Sequence, residues 1–132
     1  MIGVDTNLLV RLFVDDGSRE RQKALTFFES RAAQEVVFVS VVVLVELVWV
    51  LSSRYRFARE QALTALDALL ANAGFLVEEE DLVLAAINQC RTTNSGVADN
   101  LIAALGRRAG CVSTFTFDKD AAKRVPGMEL LA

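Results

Sequence analysis

The sequence contains no histidine, a single proline and only two cysteines, Cys90 and Cys111. The absence of histidine excludes a Ser-His-Asp triad, a histidine general base and every zinc site that needs a histidine ligand. Two cysteines cannot form a four-cysteine zinc site, and nothing in their spacing indicates a disulfide framework. We expect both to be buried or half-buried thiols in a reducing, cytoplasmic compartment.

The sequence also lacks an apolar run of the roughly 20 residues that a membrane-spanning helix needs. Its longest run, from Val36 to Leu51, is interrupted by Ser40 and Glu46 and indicates a core strand that leads into a core helix. The N-terminus has the pattern of a strand from Ile2, without the basic, apolar and small-residue segments of an export signal. We therefore expect neither export nor association with a membrane.

The charge balance gives no excess of positive charge, since 17 acids face 14 bases and the net charge is −3. A protein that holds nucleic acid mainly by bulk positive charge is therefore excluded. The length of 132 residues and the 53% of hydrophobic residues predict one compact domain spanning 1–132.

Apolar and β-branched runs predict five strands, at Met1–Val4, Val36–Val39, Phe75–Val77, Cys111–Phe115 and Met128–Leu131. Between them, helical spacing of apolar residues predicts helices at about 18–33, 40–53, 58–72, 82–90 or a little beyond, and 97–108. Strands that alternate with helices are typical of an α/β sandwich with a central, mainly parallel sheet of four to five strands.

Four acids stand out from this pattern, and they are Asp5, Glu46, Asp99 and Asp118. Asp5 and Asp118 each follow a predicted strand, so both are expected at the carboxyl edge of the sheet, where such folds bind ligands. Asp99 begins a helix after a loop. Glu46 stands alone in an apolar helix, where an unpartnered charge is costly. We predict that it faces the other three acids around one or two divalent cations.

Each acid also has a simpler interpretation when it is taken alone. Asp5 could be no more than a helix cap, and Asp118 could be a turn residue. Asp99 could simply complement a helix dipole, and Glu46 could be a buried glutamate satisfied by an arginine or by backbone groups. The four together are more informative, because four independent coincidences would otherwise be needed.

Carboxylates without histidine, serine or cysteine machinery suit hard divalent cations, which prefer oxygen ligands. One or two such ions can activate a water molecule and stabilise the leaving oxygen of a phosphodiester. The residues therefore predict metal-dependent hydrolysis of a phosphodiester.

Four segments of the chain resemble the PIN domain family, and more narrowly the toxins of VapBC-type toxin–antitoxin pairs. They are VDTNLLVR at 4–11, the helix around Glu46, ADNLIAAL at 98–105 and TFTFDKDA at 114–121. The resemblance implies a single PIN-like domain, an α/β/α sandwich, over nearly the whole chain. It also implies a Mg²⁺- or Mn²⁺-dependent endoribonuclease, a homodimer and inhibition by a cognate antitoxin.

Residue by residue, the resemblance implies that Asp5, Glu46, Asp99 and Asp118 are the catalytic acids that hold the metal. Supporting positions that orient carboxylates and waters would be Thr6, Asn7 and Thr116, with Asp120 as a further acid. The chain departs from the family pattern at Gly96, where many relatives carry another acid. We expect weaker binding of one ion there.

Two other functions stay open at this stage. A non-catalytic PIN-like domain that binds RNA or protein is favoured only by Gly96. A phosphoacceptor signalling domain also clusters acids around Mg²⁺, but no mid-chain strand here ends in an acid. Trp49 is expected either in the core or as an anchor that faces a partner.

Overall fold

The computed structural model describes residues 1–131, and the chain divides into two compact units between Glu78 and Glu79. Each unit is built around its own set of parallel strands. The prediction of one domain over 1–132 stays a prediction.

In the first unit, helices separate each strand from the next along the chain. Its elements are β1 (Ile2–Gly3), α1 (Thr6–Val10), α2 (Arg19–Glu29), a 3₁₀ turn (Ala32–Gln34), β2 (Val37–Val39), α3 (Val41–Ser53), α4 (Arg59–Ala71) and β3 (Phe75–Val77). The strands pair in the order β1-β2-β3, and both pairings are parallel. Because parallel neighbours need a crossover, helices connect each strand to the next.

Short polar side chains define where the helices of this unit begin. The hydroxyl of Ser18 accepts a hydrogen bond from the backbone N–H of Arg21, and that of Ser40 accepts one from Val43. Ser40 thus separates β2 from α3, as predicted, because its side chain satisfies an N–H that has no partner within the helix. The β2 side chains of Val37 and Val39 are buried in the core.

The second unit has two strands and three helices. Its elements are α5 (Glu80–Thr93), α6 (Val97–Arg108), β4 (Thr114–Thr116), α7 (Lys119–Arg124) and β5 (Met128–Leu130). The two strands are parallel and pair Thr114 with Met128. Ala103, Ala121 and Val125 form a buried cluster against which Met128 packs, so α6, α7 and β5 share one core.

The predicted α/β class with parallel strands is confirmed, and the five strands occur as one set of three and one set of two. Two boundaries differ from the sequence prediction. The helix predicted to run to about Ala33 ends at Glu29, and a separate 3₁₀ turn follows at Ala32–Gln34. The strand predicted from Cys111 begins at Thr114.

Cys90 is buried as expected, whereas Cys111 is exposed because it precedes β4 on the surface rather than lying within it. Trp49 is 67% exposed, which excludes the core alternative. Among residues 1–131, no helix combines the length and the apolarity that crossing a membrane requires.

Candidate metal centre

Asp5 lies directly before α1 and caps it. Its Oδ1 accepts a hydrogen bond of 3.4 Å from the backbone N–H of Leu8, and its side chain is exposed. The helix-cap interpretation is therefore geometrically correct. It does not compete with metal binding, because the cap uses one oxygen and a carboxylate has two.

Glu46 is exposed on α3, which corrects the expectation of a carboxylate in apolar surroundings. The buried stripe of this helix consists of Leu44, Leu47 and Leu51. Glu46 is two residues from Leu44 and hence about 200° around the helix, on the side away from that stripe. Its apolar neighbours in sequence are not its surroundings in space. Trp49 lies on the same exposed side of α3.

The buried Thr6 connects α1 to the acid on α3. Its hydroxyl donates a hydrogen bond of 3.2 Å to Glu46 Oε1, although the two residues are 40 positions apart. Thr6 is only 6% exposed and begins α1, so its position is well defined by packing. This hydrogen bond is consistent with the supporting role predicted for Thr6. Asn7, the next residue, is exposed.

Asp99 and Asp118 interact within the second unit. Burial raises the pKa of Asp99 above its ordinary value, and repulsion from the Asp118 carboxylate raises it further. Asp99 lies in the first turn of α6, where it also complements the helix dipole. Two like charges near a partly buried position favour a cation that would neutralise them.

Backbone groups hold Asp118 in a defined orientation. Its Oδ1 accepts hydrogen bonds from the N–H groups of Asp120 and Ala121, at 2.9 and 3.0 Å, and thereby caps α7. The hydroxyl of Thr116 accepts a bond of 3.0 Å from the N–H of Asp118. This bond fixes the backbone at Asp118, and the supporting role of Thr116 towards a metal site stays a prediction. The side chain of Asp120 instead pairs with Arg124 at 3.5 Å.

The four acids thus occur as two sets, one in each unit of the chain. Within residues 1–131, no three aspartate, glutamate or cysteine side chains are grouped so that they could hold a metal ion together. The convergence of the four acids on a shared ion stays a prediction. None of them forms an ion pair with a lysine or arginine in the described part of the chain, whereas Asp16, Glu35, Glu79 and Asp120 do.

Comparison with protein families matches the PIN domain over residues 2–127. This chain belongs to the PIN domain family. Among solved structures, the chain is similar to VapC20 of Mycobacterium tuberculosis, which is described as a toxin that cleaves the sarcin-ricin loop. The identity is 24% and the TM-score 0.47, over 93% of this chain and 94% of that one. The comparison with curated proteins gives no match.

Beside Asp5, this PIN domain has a cavity that the sequence analysis missed. The α1–α2 cavity has a volume of about 570 Å³ and lies within residues 1–78. Its polar and aromatic lining comes from Asp5, Asn7, Arg11, Glu20, Lys23 and Phe27. Phe27 lies in α2 among residues that include the buried Ala24, yet its own ring is only half-buried. The sequence did hold one indication of this lining, because the spacing of Glu20, Lys23 and Phe27 places them on one face of α2.

The raised pKa of Asp99 leads to a testable expectation for the metal-free protein. Since folding raises this pKa, Asp99 adds to stability at low pH and loses that contribution as the pH rises through the raised value. In Asp118→Asn the repulsion disappears while burial remains, so the pKa of Asp99 should move towards its ordinary value. Carboxyl carbon chemical shifts in an NMR titration measure this directly. An unchanged titration of Asp99 would show that Asp118 does not act on it.

Proposed function

We propose that this PIN domain is a Mg²⁺- or Mn²⁺-dependent endoribonuclease that cleaves RNA phosphodiesters, and that it is the toxin of a toxin–antitoxin pair. The observation that carries the proposal is the half-buried Asp99 beside Asp118, since neither carboxylate has a basic partner in the described residues. Two repelling carboxylates left without a cationic side chain are typical of a site that binds a metal ion. Family membership and the four motifs support the same reading.

The donor chemistry of the four acids suits a hard divalent cation. The ligands would be Asp5 and Glu46 from the first unit and Asp99 and Asp118 from the second, all of which supply oxygen. When bound, such an ion lowers the pKa of water and stabilises the leaving oxygen of a phosphodiester.

The chain's own contribution is to orient these carboxylates. Thr6 donates to one oxygen of Glu46, and the cap of α7 occupies one oxygen of Asp118. In each case a single oxygen is used, which leaves the second free to face a cation. Hydrogen bonds of this kind orient metal ligands and are worth about ten-fold to a hundred-fold in metal affinity.

The partners of the proposed toxin would be RNA, a cognate antitoxin and a second copy of the chain. The exposed Trp49 and Val42, at 67% and 69% exposure, lie on the same side of α3 as Glu46. Large apolar side chains in such a position are common at protein interfaces. This supports a homodimer or an antitoxin contact on that side of α3.

Cleavage of RNA by the purified protein with and without metal tests the proposed activity. We expect cleavage in Mg²⁺ or Mn²⁺, complete loss in excess EDTA and recovery when Mn²⁺ is added in excess of the chelator. Cleavage that persists in EDTA would contradict a metal-dependent mechanism. Binding of RNA without cleavage, across several metals and substrates, would instead support a non-catalytic PIN-like domain.

The glycine at position 96, where many relatives carry an acid, favours the non-catalytic function. Its effect on metal binding can be tested by substitution. A Cβ at this position would lie 3.6 Å from Asp99 Oδ2, which is an ordinary contact, so Gly96→Asp adds a carboxylate beside Asp99 without a clash. We expect Mn²⁺ affinity to rise on the order of ten-fold, because ligand charge tunes affinity. Titration calorimetry measures the change.

Gly96→Asn is the matched control for that substitution. Gly96 is the N-cap of α6 and provides no side-chain cap, so both variants add a similar cap but only one adds charge. Equal Mn²⁺ affinity in the two variants would show that position 96 does not contribute to a metal site.

A further inference from the structure

The α1–α2 cavity combines an aromatic ring, an amide and cationic side chains. Phe27 offers a half-buried ring, Asn7 an exposed amide, and Arg11 and Lys23 are basic. At about 570 Å³, the cavity falls within the range of small-molecule sites. Aromatic rings and basic groups side by side are the means by which proteins hold single-stranded nucleic acid.

The two basic residues of the cavity are not equally available. Arg11 donates a hydrogen bond of 2.5 Å to Asp16, and its backbone carbonyl accepts one from Arg21. Lys23 has no ion pair in the described part of the chain, even though Glu20 lies three residues before it on α2. Lys23 is therefore the cation that can contact an anionic ligand.

A second basic side chain lies near Lys23 on α2. Lys23 also lines a second cavity, of about 480 Å³, together with Arg19, Gln22 and Thr26. Arg19 and Lys23 are four residues apart and so lie on neighbouring turns of the same helix face. Their like charges disfavour the helix, and a bound anion would relieve this repulsion. An extended anionic chain could contact both residues in succession.

We propose that the α1–α2 cavity is a binding subsite for one nucleotide of single-stranded RNA. The base stacks on Phe27, a phosphate contacts Lys23, and the strand continues along α2 towards Arg19. Since Asp5 also lines the cavity, the nucleotide lies beside a proposed metal ligand. The inference rests on the proposed function, because it takes RNA as the substrate.

The test measures the affinity of the full chain for a single-stranded oligoribonucleotide of about ten nucleotides in EDTA. Phe27→Leu should weaken binding roughly ten-fold or more, because it removes the stacking surface, and Phe27→Tyr should restore it. Lys23→Gln, at an exposed position, should reduce the salt dependence of log K by about 0.7 per decade of salt, as for one phosphate contact.

Two substitutions serve as matched controls, and both should bind like the unmodified chain. Phe28→Leu removes the neighbouring ring, which lines a different cavity, and Lys123→Gln removes an exposed lysine of α7. The subsite would be overturned if Phe27→Leu and Phe28→Leu bound RNA with equal affinity and Lys23→Gln left the salt slope unchanged. That result alongside normal RNA cleavage would leave the nuclease proposal intact.

The subsite can also be supported while the nuclease proposal fails. Weaker binding by the Phe27 and Lys23 variants, in a chain that never cleaves RNA, would support the subsite and contradict the nuclease. A chain that neither binds nor cleaves RNA would overturn both.

Discussion

Asp5→Asn is expected to reduce Mg²⁺-dependent RNA cleavage by about a hundred-fold to a thousand-fold while the fold is retained. A metal ion contributes several kcal/mol of charge stabilisation to phosphodiester hydrolysis, and each 1.36 kcal/mol corresponds to ten-fold in rate. The substitution removes one negative charge from the proposed metal site and changes little else, because asparagine caps helices about as well as aspartate. The bond from Leu8 N–H to the residue 5 side chain can therefore persist.

This prediction is checked by cleavage rates together with thermal unfolding. The melting temperature should stay close to that of the unmodified chain, so a loss of cleavage cannot be attributed to unfolding. Asp15→Asn is a suitable control, since Asp15 is also exposed and its Oδ1 accepts a backbone hydrogen bond, from Gly17. Full activity in Asp5→Asn would show that Asp5 is not a ligand of the proposed metal site.

Asn100→Leu should lower the free energy of unfolding by about 2–4 kcal/mol, because it breaks a buried hydrogen-bond network. Asn100 is 3% exposed, and its Nδ2 donates to Ser95 Oγ at 2.8 Å and to the Gly96 carbonyl at 2.7 Å. Cys90 Sγ accepts a longer contact of 3.5 Å from the same nitrogen. Leucine has a similar size but cannot satisfy these acceptors.

Urea denaturation measures this effect, and Asn88→Leu is the matched control. Asn88 lies on the exposed side of α5, so its replacement should change stability by no more than about 0.5 kcal/mol. Because the Ser95–Gly96 segment leads directly into the turn that carries Asp99, we also expect weaker Mn²⁺ binding in Asn100→Leu. Equal denaturation midpoints for the two variants would show that the network contributes little.

Local signals in the residue order predicted most of the secondary structure. Ser40 marked the start of α3, and Gly110 followed α6 closely, because caps and breakers act over one turn. The end of α2 was predicted too late, because no glycine or proline follows Glu29 to mark it.

Burial was predicted less well than secondary structure. Glu46 and Trp49 both stand in an apolar stretch, which predicts apolar surroundings for Glu46 and places Trp49 either in the core or against a partner. The structure places Glu46 and Trp49 on the exposed side of α3 and leaves the ring of Phe27 lining an open cavity. A helix that is apolar on every side does not reveal from its composition which side its neighbours cover.

The residue order was sufficient to specify an α/β chain with parallel strands, the PIN family and the candidate acids, because strand patterns, caps and motifs are short-range features. Packing was needed to show that Thr6 bonds Glu46, that burial and the nearby Asp118 raise the pKa of Asp99, and that a cavity lies beside Asp5. The Thr6–Glu46 bond joins residues 40 positions apart, and such contacts depend on how helices pack against one another, which no local pattern encodes.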